Sequence, residues 1–134
     1  MKLLAPLVFF LALTASIGCN ESTEECPQDQ MCTEEFRFIT LEVKDTAQAP
    51  YLLDSVHTVV VESGAVVHPM EQMMDPGIYI VLSDNEKNLT SLAGDTFLFN
   101  GFKGGLLKVS EQFVIRHDCC HINWVSGNTS VTIP

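Results

Sequence analysis

Cations are scarce in this chain. Seven lysines and arginines stand against 17 aspartates and glutamates, giving a formal net charge of −10. Such a balance repels phosphate backbones and argues against nucleic acid as a partner. No polybasic stretch is present to hold an anionic membrane surface. Amphipathic helices are also missing, since no window repeats its apolar residues at helical spacing. The chain lacks a P-loop, a dinucleotide fingerprint and an HExxH pair, so nucleotide binding and zinc-protease chemistry have no sequence support. It has one tryptophan, no internal repeat and no low-complexity segment. Its longest apolar run, Leu3 to Ile17, is too short to span a bilayer.

That run is informative for another reason. Met1-Lys2 gives it a positive start, and small residues follow it before Cys19. Residues 1–18 therefore read as a secretory signal peptide. Its removal takes Lys2 with it and moves the charge from −10 to −11. Residues 19–32 read as an acidic tether and 33–134 as the folded domain. Asn20 to Glu25 holds no apolar residue, as expected of a flexible linker.

Ser16-Ile17-Gly18-Cys19 resembles a bacterial lipobox, with Ser16 where the pattern usually has leucine. The resemblance implies cleavage before Cys19 and lipidation of its thiol, with several acyl chains giving stable anchoring to the membrane. It places the protein in the bacterial cell envelope as an outer-membrane lipoprotein, on the periplasmic or the surface face. The acidic run after Cys19 resembles a surface-export signal of some Gram-negative lineages, and it reads equally as a solvated linker.

With Cys19 lipidated, Cys26, Cys32, Cys119 and Cys120 remain, an even number in an oxidising compartment. A bond between neighbours Cys119 and Cys120 would close a strained ring. Two pairings are left, each joining the early cysteines to the late ones. Either closes loops spanning most of the domain, at about 4 kcal/mol per bridge in the chain-entropy model.

Between the cysteines the pattern is that of short strands. Phe36 to Val43 alternates with one slip of phase, which suggests a bulge. Leu52 to Val61 is rich in β-branched residues, and Ala65 to Val67, Gly77 to Leu82 and Asp95 to Phe102 follow as strands. Met70 to Pro76 reads as a loop or one helical turn, and Leu89 and Leu92 as a short helical or irregular link. Gly101, Gly104 and Gly105 mark a hairpin. Leu106 to Cys120 reads as two strands or one kinked strand, and His121 to Val125 pairs with it or continues it. Ser126 to Asn128 is a tight turn before a final edge strand, Ser130 to Ile133. The expected fold is all-β, an immunoglobulin-like or transthyretin-like antiparallel sandwich of about seven strands.

Ile39 to Asp45 followed by a turn and Pro50, and the strand Gly77-Ile78-Tyr79-Ile80, resemble the transthyretin-like or carboxypeptidase-regulatory-like sandwich modules. Ala49 stands where that pattern has glycine. The resemblance implies a Greek-key sandwich without catalytic residues. The lipobox, the Cys-x5-Cys start and the late Cys-Cys-His together resemble a small family of bacterial lipoproteins, which implies no activity.

Four constellations carry candidate chemistry. On a strand, His117, Cys119 and His121 share one face and offer two imidazoles and a thiolate, a set suited to zinc or copper. Their spacing of about 7 Å is wide for one ion. His68 with Met70, Met73 and Met74 suits a soft ion, although methionines more often fill gaps. Asp54, Ser55 and His57 hold the residue types of a hydrolase triad without a nucleophile elbow, and a solvated strand face explains them. Trp124 with Tyr79 or Tyr51 could stack on a sugar, although single aromatics in a sandwich are mostly core. The expected function is that of a lipid-anchored, non-enzymatic interaction module without a cofactor, with protein or glycan as ligand. An envelope metal-binding protein using His117, Cys119 and His121 is the alternative.

Overall fold

The computed structural model describes residues 25–69 and 71–134. The expected signal peptide, Cys19, the start of the tether through Glu24, and Met70 lie outside the described residues. Among the described residues no helix is long and apolar enough to cross a membrane.

Nine strands and one 3-10 helix follow in chain order. They are β1 (Phe38–Asp45), β2 (Ser55–Val60), β3 (Val66–Val67), β4 (Met73–Asp75), β5 (Ile78–Ser83), the 3-10 helix (Asp84–Leu89), β6 (Asp95–Lys103), β7 (Leu106–His117), β8 (Ile122–Ser126) and β9 (Ser130–Ile133). One sheet has the order β4-β5-β1-β9 and the other β3-β2-β6-β7-β8. The expected all-β sandwich is what forms. Its pairs are antiparallel except β1 with β9, which run parallel.

Burial alternates along β1 with Ile39, Leu41 and Val43 inside. Phe97, Phe99 and Phe113 of the five-stranded sheet are fully buried, and they share the core with Leu41, Val43, Tyr79 and Val81 of the other. Each such side chain contributes roughly 1.5–3 kcal/mol through its removal from water. Thr58 is buried on the same face, and its hydroxyl donates to the Val81 carbonyl at 2.7 Å, so the polar group in the core is satisfied.

The Gly77-x-Tyr79 strand start has a physical role here. Gly77 adopts φ +79, and an added Cβ would stand 2.9 Å from the Val43 carbonyl oxygen. The Val43 amide donates to the Gly77 carbonyl at 2.7 Å. The Tyr79 hydroxyl donates to the Tyr51 carbonyl at 2.9 Å and accepts the Leu53 amide at 2.7 Å, fixing the loop that leads into β2.

Three local expectations are corrected or resolved. Met73 to Asp75 is neither loop nor helical turn; it is β4, because the turn at Pro76-Gly77 folds it back onto Tyr79 and Ile78. Leu106 to His117 is one continuous strand, long enough to pair with all of β6. The strand ends at His117, so Asp118 to His121 is a turn and not an extension of β7.

Candidate functional site

That turn is built around Asp118. Its Oδ1 accepts the amides of Cys120 at 3.0 Å and His121 at 2.8 Å, and its Oδ2 accepts the Asn123 side-chain amide at 3.0 Å. The His121 amide, the Asn123 side chain and the Cys120 amide, with Arg37 nearby, pull the Asp118 carboxyl down to about 2. An aspartate holding two amides further along the chain is a local turn device. Cys119 takes the left-handed conformation at φ +74. Lys87, from the 3-10 helix, donates to the carbonyls of Cys119 at 2.6 Å and Cys120 at 3.3 Å.

The four sulfurs meet at this turn. Cys26 bonds to Cys119 and Cys32 to Cys120, with Cα separations of 5.5 and 5.3 Å. Of the two pairings the sequence leaves open, this is the one that forms. Residues 25–35 thus become a strap fastened across the end of the sandwich. The strap carries Glu25, Asp29, Glu34 and Glu35 and no lysine or arginine.

The strand face expected to carry His117, Cys119 and His121 does not form. Cys119 is in a disulfide. His121 is turned inward and both its ring nitrogens are engaged: Nδ1 lies 2.7 Å from Asp84 Oδ2, and Nε2 lies 3.0 Å from Thr33 Oγ1. Burial pushes the Asp84 carboxyl up. The Ile122 amide, the His121 ring and the Arg37 amide outweigh it and hold the group below the usual carboxylate range. His117 stands apart from this pair, and its Nδ1 accepts the Cys119 amide at 3.0 Å.

The other candidates fall apart in space. Asp54 is bound to Lys103 at 2.8 Å and to the Gly104 amide at 2.7 Å. His57 stacks on Phe102 and lies 3.4 Å from the Asn100 side chain, and Ser55 is exposed. No Asp-His-Ser chain results. His68, Met73 and Met74 are exposed, so neither methionine fills a gap under the loop. Tyr79 is core, as expected of an aromatic in a sandwich, whereas Trp124 is 49% exposed.

An aromatic strip that the sequence reading did not single out surrounds Phe38. Phe36 and Phe38 pack edge to face at 5.0 Å and both stay in contact with solvent. A hollow of about 220 Å³ lies between them and Pro69, Glu71, Ile80 and Asn85. A second hollow, of about 290 Å³, lies beside Phe38, Ile39, Thr40, Trp124 and Thr129. The second marks a gap in the sheet edge. β9 pairs with β1 only from Glu42 to Asp45, and among the described residues no strand pairs with Phe38 to Leu41 on that side. The available signal was the phase slip in β1. The register against β5 does shift between Ile39 and Thr40, yet side chains keep alternating, so Phe36 and Phe38 remain outside instead of joining the core.

Comparison of the chain with protein-family models, with curated proteins and with solved structures finds no match. What the residues and their arrangement establish is a two-sheet β-sandwich whose two disulfides fit an oxidising, extracytoplasmic compartment.

Proposed function

We propose that this protein is a lipid-anchored envelope lipoprotein, fastened through Cys19, whose sandwich is a non-enzymatic module that binds an extended polypeptide at the open edge of β1. The observation that carries the reading is the half-covered edge, with Phe38 and Trp124 flanking it. An unpaired strand edge offers alternating amide donors and carbonyl acceptors, a pattern that another polypeptide backbone matches and a glycan does not. The hollow between Ile39 and Trp124 gives one guest side chain an apolar seat. The acidic strap that leads into this edge favours a basic guest segment. The lipobox and the resemblance to transthyretin-like sandwich modules agree with such a role.

A photo-reactive residue placed at position 40 in intact cells tests the binding edge. The expected product is a polypeptide adduct that disappears with Phe38→Ala and is not formed from position 112, on the other sheet. Equal adducts from positions 40 and 112, or none from position 40, overturn the proposal. The anchor has its own test. Cys19→Ser is expected to leave uncleaved precursor or a soluble form, and a processed Cys19→Ser protein that still partitions with the membrane refutes the lipobox reading.

A further inference from the structure

We propose that Cys26, Cys119 and His117 form a zinc site that the Cys26–Cys119 disulfide keeps closed and that reduction of this bond opens. The two sulfurs and one His117 ring nitrogen all lie within 4.8 Å of one another. In a tetrahedral zinc site, metal bonds of about 2.3 Å to sulfur and about 2.0–2.1 Å to nitrogen put ligand atoms about 3.5–3.8 Å apart. Separating the sulfurs on reduction moves the set toward that spacing. His121, the third ligand expected from the sequence, is replaced by Cys26, which only the strap brings here.

His117 is held at the cluster by the Cys119 amide, which donates to its Nδ1 at 3.0 Å and leaves the ring proton on Nε2. Zinc takes the place of that amide on the Nδ1 lone pair, which requires the Cys119 backbone to shift when reduction frees its side chain. Cys26 is exposed, and Cys119 and His117 are half-buried, so both a reductant and an ion reach the cluster. The Cys32–Cys120 bridge joins the same two segments and contributes no ligand to the site. Two thiolates and an imidazole leave a fourth position for water.

The chemistry balances with a dithiol as electron donor. Two electrons and two protons pass from the dithiol to the Cys26–Cys119 bond, giving two protein thiols and the donor's disulfide. Zinc then displaces both thiol protons to solvent, and His117 contributes its lone pair without losing a proton. Reoxidation by a disulfide acceptor takes two electrons from the thiolates and expels the ion.

The test is zinc titration against a chromophoric chelator, with the domain oxidised or reduced by a phosphine that does not itself carry thiols. The expected result is no competition by the oxidised protein and one zinc per chain after reduction. His117→Ala should weaken the reduced site by more than the roughly 10–100-fold that loss of an outer-shell partner costs. Cobalt(II) should give a thiolate charge-transfer band that Cys26→Ser with Cys119→Ser removes and Cys32→Ser with Cys120→Ser retains. Circular dichroism checks that each variant is folded. If the Cys32 and Cys120 variant does not fold, His117→Ala in the otherwise natural chain decides. Absence of zinc uptake by the reduced protein, uptake unaffected by His117→Ala, or uptake by the oxidised protein each overturns the proposal.

Discussion

His121 Nδ1 lies 2.7 Å from Asp84 Oδ2, with side-chain exposures of 8% and 10%, so the turn after β7 is locked to the start of the 3-10 helix by a nearly buried pair. The same carboxylate accepts the Arg37 amide at 2.9 Å and the Ile122 amide at 2.7 Å. Asp84→Ala removes one acceptor group and leaves three donors without a partner. Each unsatisfied buried group costs about 1–3 kcal/mol, so a loss of about 3 kcal/mol or more is expected in urea unfolding at unchanged m-value. Asp84→Asn, which keeps one carbonyl oxygen, should lose less. A midpoint shift below 1 kcal/mol for Asp84→Ala would show that water replaces the carboxylate.

Acid should weaken this same corner. Asp118 titrates at about 2 in the fold against about 3.9 in an unfolded chain, and Asp84 is also lowered. A carboxyl depressed by folding adds stability above the unfolded value and loses it as pH falls through the folded one. The window for Asp118 is therefore about pH 4 down to 2. Its side chain is 46% exposed, so screening reduces the contribution to about 1 kcal/mol. Melting temperature followed from pH 6 to pH 2 should fall in that window, and Asp118→Asn should flatten the slope.

The two bridges should be far from additive. Their partners are 93 and 88 residues apart, so whichever is present closes nearly the whole domain, at about 4.5 kcal/mol by chain entropy. Once one exists, the other closes only a small ring through Cys26, Cys32, Cys119 and Cys120, at about 2–3 kcal/mol. Removing either pair by serine substitution should cost that smaller amount, and removing both about 7 kcal/mol. Denaturant midpoints of the two double variants and the quadruple variant check this. Equal and additive losses would sink the shared-loop account.

Gly127 separates the cost of conformation from the cost of space. It adopts φ +124, and a Cβ there would lie 2.7 Å from the Gln112 carbonyl oxygen and 2.8 Å from a Phe113 ring carbon. At Gly104, φ is +59 and an added Cβ meets nothing within 4 Å. Gly104→Ala should cost about 1–2 kcal/mol, the ordinary left-handed penalty. Gly127→Ala should cost clearly more, because the β8–β9 turn must lift off β7.

The strands were legible because a sandwich strand writes its two faces into alternate residues, as Ile39, Leu41 and Val43 do. The staple was legible from cysteine count and compartment, but the choice between pairings was not. That choice depends on Asp118 ending β7 early and on the left-handed Cys119, neither of which has a periodic signature. The open edge of β1 was hidden for a similar reason. Which half of a strand a partner covers depends on where β9 enters the sheet, and the parallel pairing starts only at Glu42. Trp124 read as core because single aromatics in a sandwich mostly lie there, but it stands on β8, the edge strand of its sheet, and is 49% exposed.

The strap also decides how the domain carries load. A pull on the chain at Glu25 does not reach β1 first, since Cys26 and Cys32 hand the tension to Cys119 and Cys120. From there it enters the turn between β7 and β8, and β7 is paired along the whole of β6. Phe38 to Leu41 lies outside that line of force, so a guest strand held at this edge would stay seated while the domain is tugged from its N-terminal side.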